Sequence, residues 1–572
     1  MIFQWNYTTP EAADVGTATH LAAALGIHPV LGKLLVDRGI TDTITARKFF
    51  RPKLTDLHPP MLMNDMPKAV TRLEEAISRH ERILVYGDYD VDGVTAVALV
   101  YKFLRQRHDH IDYYIPDRYE EGYGIGHKGI DYAAETGVRL LIVLDCGIKA
   151  VDEVAYAKTR GIDVIICDHH VPDETLPDAV AILNPKRPDN TYPYEHLSGC
   201  GVGFKFMQAY AQSRGIAFNE LANVLDLCAI SIASDIVPVT GENRILAHAG
   251  LHRINASPCT GLQAIIEVCG VADKELTMSD IIFKIGPRIN ASGRVQNGRE
   301  SVRLLVEEDY NAARQQAESI NILNEQRKEL DKQMTEEAVA AVRQQEGAES
   351  HSGIAIVGSQ WHKGVIGIVA SRLVEQFHKP TVVLTQNEGF ATGSARSIGG
   401  FDVYAAVQSC QDLLENFGGH TYAAGMTMQA SRVPEFRRRF LAYIDQHISE
   451  EQVQATLQVN AIIDLSDVSF KFYQQLARFA PFGPGNEKPI FCTHRVYDYG
   501  TSKVVGRGQE HIKLELVGEG SSRVISGIAF GQSSQARYIK TKRAFDICYT
   551  IEENTHKRGE VQLQIEDIRP KE

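Results

Sequence analysis

Asp88, Asp90 and Asp92 stand on alternate residues of YGDYDVDG, Tyr86 to Gly93, directly after the apolar run RILVY. Three carboxylates this close repel one another unless a cation lies between them. A calcium loop is the first comparison, since Asp88, Asp90, Asp92 and Gly93 occupy its first, third, fifth and sixth positions. It fails at the twelfth, where Leu99 replaces the required bidentate Glu, and a strand rather than a helix precedes the loop. Capping of the following helix accounts for one of the three carboxylates and leaves two uncompensated. The cluster therefore points to a bound metal.

Further carboxylates and imidazoles recur where apolar runs end. LDCG supplies Asp145, CDHH supplies Asp168, His169 and His170, and ASDIVPV supplies Asp235. Each alone reads equally well as a turn or cap residue; their common placement favours a shared centre. Mixed carboxylate and imidazole ligation suits Mn²⁺ or Mg²⁺, whereas a structural zinc site would favour thiolates. Cys146 and Cys167 adjoin these residues, but no CxxC or CxxH spacing supports them as ligands. Two such ions about 3.5 to 4 Å apart act together on a phosphoryl group, so phosphate-ester hydrolysis is the leading chemistry.

These residues need a frame that brings them together. From about residue 83 to 240 short continuous apolar runs alternate with helical segments, the pattern of a parallel sheet covered on both faces. In such sheets ligands gather beyond the carboxyl ends of the strands, where Asp88, Asp145 and Asp168 fall. The expected fold class is α/β: a helical lead-in over 1–80, a parallel-sheet catalytic domain over 81–300, and a connecting helix over 301–350. The helical pattern of that connector runs from Ser301 to Gln345, roughly 65 Å if unbroken. A smaller α/β domain follows over 351–450, containing GIAIVG, TVVLT and the Gly-rich ENFGGHTYAAG. Short alternating strands over 451–572 predict a small β-barrel.

Length and composition set outer bounds. A chain of 572 residues exceeds a single core, and 44% hydrophobic with 23% charged residues is ordinary for a soluble protein. The net charge of −12 argues against coating nucleic acid by overall charge, while leaving room for a local basic channel. No basic, then apolar, N-terminal leader and no apolar run of about 18 residues is found, so membrane spanning and secretion are not expected. Nine cysteines without a CxxC pair fit reduced thiols in a cytoplasmic protein.

Beyond these physical readings, GDYDVDG, LDCG, CDHH, NPKRPD, SGCGVGFK, SDIVPVTGENR, KIGPRINASGR and GGHTYAAGM resemble, in order, the motifs of the DHH phosphoesterases. The likeness covers nearly all the chain and is strongest to the branch that degrades single-stranded DNA from its 5′ end. It implies that Asp90, Asp92, Asp145, His169 and Asp235 hold two divalent ions, Mn²⁺ or Mg²⁺, with Asp88 beside them as ligand or proton acceptor. His170 and Arg288 would stabilise charge on the scissile phosphate. The second α/β segment resembles the DHHA1 domain, which implies that Ser394, Arg396 and His420, together with Arg118 of IPDRYEEGYG, bind a terminal 5′-phosphate. The C-terminal segment resembles an OB-fold that grips single strands by stacking and a basic groove. Phe470, Phe472, Tyr473 and KTKR, Lys540 to Arg543, are its candidates, although a lone aromatic is more often core. One departure stands out: many relatives have His where this chain has Tyr86.

The resemblance further implies single-stranded DNA as substrate, recombination and repair as the setting, and single-strand-binding protein and a repair helicase as candidate partners. A chain with its own binding barrel is expected to work as a monomer. Two rival readings are a hydrolase of small nucleotides with the same metal centre and a non-catalytic scaffold. The connector and barrel argue against the first, and the nearly complete acidic motifs against the second.

Overall fold

The computed structural model describes residues 3–8, 12–295, 297–344, 351–554 and 557–571. Met1, Ile2, Thr9 and Pro10 of the N-terminal stretch, and Gln345 at the expected end of the connector, lie outside the described residues. The chain forms two compact units. One comprises Tyr7–Gly293, Asn297–Ile320 and Gln458–Glu572; the other comprises Met1–Asn6, Arg294–Gln296 and Asn321–Leu457.

The first unit is built on β1 (Arg82–Gly87), α1 (Val91–Arg105), β2 (Ile111–Tyr114), β3 (Val138–Leu144), β4 (Asp163–Cys167), β5 (Ala181–Leu183), α2 (Gly199–Ser213) and α3 (Leu225–Ser234). The five strands are parallel in the order β2-β1-β3-β4-β5. Their apolar runs are continuous because both faces are covered: Ile83 and Val85 point into one core with Val97 and Phe204, Leu84 and Tyr86 into another with Val143 and Ile166. The register aligns Gly87 with Leu144, Leu144 with Cys167 and Cys167 with Leu183. The next residue of each strand, Asp88, Asp145, Asp168 and Asn184, therefore emerges along one edge. Between β1 and β3 the connections run to opposite sides, the switch point where doubly wound sheets hold ligands.

Further along the chain lie α4 (Gly286–Val295), α5 (Arg299–Val306) and α6 (Tyr310–Gln344). The helical pattern read from Ser301 to Gln345 is divided between two helices. Glu307 turns to an extended conformation and accepts the Glu308 and Asp309 amides, while Asp309 caps α6 through the Ala312 amide. Acceptor side chains at the start of a helix favour such a restart. At 35 residues, α6 alone extends about 52 Å. Ala313, Ala317 and Ile320 are buried in the first unit's core, and Met334, Ala338 and Val342 in a core of the second.

The second unit contains β6 (Ile354–Ser359), α7 (Ile366–Phe377), β7 (Thr381–Asn387), β8 (Phe390–Arg396), β9 (Asn416–His420) and β10 (Ala423–Gln429). Its sheet has the order β9-β10-β8-β7-β6, with β6 and β7 parallel and the remaining pairs antiparallel.

The C-terminal segment returns to the first unit as β11 (Phe491–Asp498), β12 (His511–Gly518), β13 (Ile525–Ala529), β14 (Phe545–Glu553) and β15 (Val561–Pro570). They pair in the order β11-β14-β15-β13-β12, and β11 with β12 closes the barrel. Helices from residues 12 to 50 share its core: Leu21, Leu31 and Leu35 are buried with Phe472, Phe491, Leu514 and Ile547. Phe472 is thus a core residue, with Phe470 and Tyr473 packed partly buried against it. Arg244 ties barrel, helices and catalytic sheet together. Its guanidinium donates to the carbonyls of Phe49, Phe479, Ala480 and Pro481 and lies 3.9 Å over the Phe49 ring.

Candidate metal centre and phosphate site

Four loops bring the acidic residues to the sheet edge. Asp88, Asp92, Asp145 and His169 are buried, and Asp90 and Asp235 are half-buried. His169 Nε2 lies 3.2 Å from Asp145 Oδ1, 3.5 Å from Asp235 Oδ2 and 3.8 Å from Asp92 Oδ2. Two overlapping groups, Asp92–His169–Asp235 and Asp145–His169–His170, each have ligand atoms within 4.8 Å of one another. Burial and the charges of Asp92, Asp90, Asp235 and Asp88 push the Asp145 carboxyl well above the usual carboxylate range. Burial does the same at Asp88, reinforced by Asp90, and at Asp235, reinforced by Asp92 and Asp90. Asp235 also closes the C-terminal end of α3, where the helix dipole disfavours an anion.

Each carboxylate is positioned by its local sequence. Asp90 Oδ1 caps α1 through the Gly93 amide at 3.1 Å, so the capping reading holds for this one aspartate. Asp92 accepts the Gly199 and Cys200 amides at 2.6 and 2.8 Å and the Ser231 hydroxyl at 2.7 Å, the start of α2 serving as its anion cradle. Gly93 and Gly199 are required by crowding. A Cβ at Gly93 would lie 2.4 Å from the Asp88 carbonyl oxygen, and one at Gly199 would lie 2.5 Å from Asp145 Oδ1.

The donor set fits divalent metal. Asp88 Oδ1, Asp145 Oδ1 and both ring nitrogens of His169 are buried without hydrogen-bond partners. Such orphaned acceptors and clustered like charges are costly unless a cation compensates them. Oxygen and imidazole donors match Mn²⁺ or Mg²⁺, and the adjacent Cys146 thiol is pushed well above its ordinary value by burial.

His170 reaches outward, its side chain 44% exposed, while Asp168 holds it. Asp168 Oδ1 lies 2.7 Å from His170 Nδ1 and accepts the His169 and His170 amides; Oδ2 accepts the Ile148 amide. Burial alone would raise Asp168, but His170, His169 and the Ile148 amide outweigh it and hold the carboxyl at about 2. Sequence reasoning placed Asp168 at the strand edge without this role, although two His following an Asp were the available signal. Tyr123 was also missed. Its hydroxyl donates to the Asp145 carbonyl at 3.2 Å and sits 3.3 Å from His170 Nδ1, on a loop flanked by Gly122 and Gly124 at positive φ.

Tyr86 does not enter the acidic cluster. It is fully buried beneath the sheet, stacks on Tyr114, donates to the Gly124 carbonyl and accepts the Gly126 amide, thereby fixing the Tyr123 loop. Arg118 lies in the same unit, its guanidinium 4.8 Å over the Tyr89 ring. Arg288 Nη1 donates to the Lys284 carbonyl, and its helix starts against the Asp235 turn, where a Cβ on Gly286 would meet Ser234 Oγ at 2.8 Å.

Ser394, Arg396 and His420 belong to the second unit and converge there. Arg396 Nη1 donates to Ser394 Oγ at 2.9 Å. Arg396 pairs with Ala423 and Ala423 with His420, so Arg396 and His420 share one face of the sheet. A Cβ at Gly367, in the first turn of α7, would lie 2.9 Å from Arg396 Nη2 and 3.0 Å from Ser394 Oγ. A guanidinium, a hydroxyl and a helix start thus lie close together, donors of the kinds that favour an anion.

A parallel sheet with carboxylates and an imidazole at its switch point, joined to a second α/β unit and a closed barrel, defines a phosphoesterase of the DHH type. Family models agree: DHH family, N-terminal domain matches residues 82–232, DHHA1 domain 351–450, and RecJ OB domain 459–567. The chain belongs to the RecJ family of single-stranded-DNA-specific exonucleases. It is 33% identical over 564 residues to RecJ of Salmonella typhimurium, covering 95% of this chain and 96% of that protein. It is 36% identical over 532 residues to RecJ of Bacillus subtilis, covering 92% of this chain and 66% of that longer protein. The crystal structure of RecJ in complex with Mn²⁺ from Thermus thermophilus superposes with a TM-score of 0.84 at 26% identity, covering 100% of this chain and 80% of that one.

Proposed function

We propose that this chain is a metal-dependent phosphodiesterase that degrades single-stranded DNA from the 5′ end to mononucleotides, in recombination and repair. The observation that carries the reading is the convergence of Asp92, Asp145 and Asp235 on His169, with Asp88 and Asp90 near enough to raise the Asp145 carboxyl. Asp90, Asp92, Asp145, His169 and Asp235, with Asp88, are the residues that would hold two divalent ions, Mn²⁺ or Mg²⁺. Such ions, when bound, supply charge neutralisation, polarisation of the phosphoryl group and activation of water. The remaining work falls to side chains. His170, held by Asp168, and Arg288 stabilise charge developing on the phosphate, and Asp88 accepts a proton.

Ser394, Arg396 and His420 bind a 5′-phosphate, Arg118 is a further phosphate-binding residue, and the barrel holds the strand. In this division residues 81–300 cut, 351–450 bind the end, 451–572 grip, 301–350 connect and 1–80 support. The protein acts as a cytoplasmic monomer; single-strand-binding protein and a repair helicase are the partners to test. Among the described residues, no helix is long and apolar enough to cross a membrane.

The test is product analysis on single strands labelled at either end, with and without Mn²⁺, beside Asp145→Ala. Mononucleotides released from the 5′ end only, and none from Asp145→Ala, are expected; metal-independent cleavage would overturn the reading. Arg396→Ala should reduce the preference for a 5′-phosphorylated end about 10- to 100-fold, the worth of a charge-assisted hydrogen bond. An unchanged preference would remove Arg396 from the phosphate-binding residues.

A further inference from the structure

We propose that Cys492 and Cys548, in the barrel and apart from the acidic centre, form a dithiol that a hydroperoxide oxidises to a disulfide, with His494 taking the Cys492 proton. The two residues are direct cross-strand partners on β11 and β14. Opposed residues of antiparallel strands have Cα atoms about 4.5–5.5 Å apart, inside the about 4.4–6.8 Å span of disulfides. Their register therefore suits a disulfide.

The surroundings of Cys492 favour reaction. Its Sγ lies 3.9 Å from His494 Nδ1, 4.0 Å from His494 Nε2 and 3.9 Å from the Tyr7 hydroxyl. His494 Nδ1 is 2.8 Å from Asp546 Oδ2, and Asp546 is itself fixed by the Arg495 amide at 2.8 Å and Lys571 Nζ at 3.3 Å. A thiol beside an imidazole that a carboxylate orients is the arrangement of an activated sulfur nucleophile. A hydrogen bond from Cys548 and the nearby His494 hold the Cys492 thiol below its ordinary value despite burial. Although both sulfur residues are buried, the His494 and Tyr7 beside them are 39% and 40% exposed, a thin cover between the pair and solvent.

The chemistry closes in two steps. The Cys492 sulfur attacks the O–O bond, giving a sulfenic acid, and the departing oxygen takes the proton from His494 and leaves as water or an alcohol. Cys548 then attacks the sulfenic sulfur, and its proton leaves with that oxygen as a second water. The dithiol has lost two electrons and the peroxide has gained them.

Cys200 and Cys228 provide an internal control. They are also neighbouring buried thiols, yet burial and the Cys228 thiol push Cys200 well above its ordinary value. The reduced full chain is treated with a small excess of hydrogen peroxide, alkylated under denaturing conditions and mapped by peptide mass. A Cys492–Cys548 disulfide, two hydrogens lighter, with Cys200 and Cys228 still alkylated, is expected. C548S should instead accumulate a Cys492 sulfenic acid that dimedone traps, and H494N should slow loss of the Cys492 thiol at least tenfold. The proposal is overturned if Cys492 oxidises no faster than Cys200, if Cys548 stays a thiol while Cys492 proceeds to sulfinic acid, or if folded H494N reacts at the wild-type rate. Should H494N fold poorly by circular dichroism, the Cys492 to Cys200 ratio in the wild type decides alone.

Discussion

Asp168 distinguishes a residue that holds chemistry from one that performs it. It receives three amides and the His170 ring, so its charge is already spoken for within the chain. Asp168→Asn keeps the shape and removes the charge that orients His170. The expected result is a 10- to 100-fold lower kcat on single strands with metal affinity little changed, the usual scale for such supporting partners. Steady-state kinetics alongside Mn²⁺ titration calorimetry measures both. A matching loss of metal binding would make Asp168 a ligand instead. Asp145→Ala should differ: it deletes a buried donor shared by the cluster, and the same calorimetry should show metal binding weakened together with activity.

At the level of elements, the glycine at the start of α2 sets how closely that helix approaches the centre. Gly199→Ala places a methyl 2.5 Å from Asp145 Oδ1 and should cost about 10²-fold in activity, the scale of an ångström-sized misplacement. Gly201→Ala, whose Cβ would meet Ser198 Oγ at 3.3 Å and Leu197 Cδ2 and Cβ at 3.4 and 3.5 Å, should stay within a few-fold in the same nuclease assay. Equal losses would show that helix propensity, not the approach to Asp145, matters at these sites. The parallel sheet and its ligand-bearing edge were legible because apolar runs buried on both faces, three of them followed by an aspartate, leave few alternatives. The break at Glu307 was not, since it depends on side-chain caps rather than on apolar spacing. Nor was the place of Tyr86, whose neighbours Gly124 and Gly126 lie on a loop that periodicity does not place. The convergence of His169 on Asp92 and Asp235 was expected through resemblance; the amides that hold Asp92 were hidden in SGCG, which reads locally as a helix start.

For the whole molecule, removing metal should destabilise as well as inactivate. Clustered buried carboxylates lose their compensating charge in chelator, and saturating Mn²⁺ at 100 times its Kd should restore about 2.7 kcal/mol. Differential scanning calorimetry with and without EDTA should therefore show a rise in Tm of a few degrees on adding Mn²⁺, and no shift would argue against a built metal site. Arg244 is the other global element. Burial lowers its guanidinium to about 9, and its four carbonyl partners and the Phe49 ring compensate a charge there. Arg244→Ala should cost about 3 kcal/mol or more and speed proteolysis near Phe479 to Pro481, as gel time courses would reveal.

The shared core of the first three helices and the barrel also bears on how a cell makes this protein. Leu21, Leu31 and Leu35 leave the ribosome roughly 20 to 100 s before Phe491 and Ile547 are synthesised, at about 5–20 residues per second. During that interval their apolar faces have no partner, which makes the nascent chain a client for holding chaperones. A stop codon that removes the barrel should leave the helices of residues 12–50 uncovered and the truncated product insoluble.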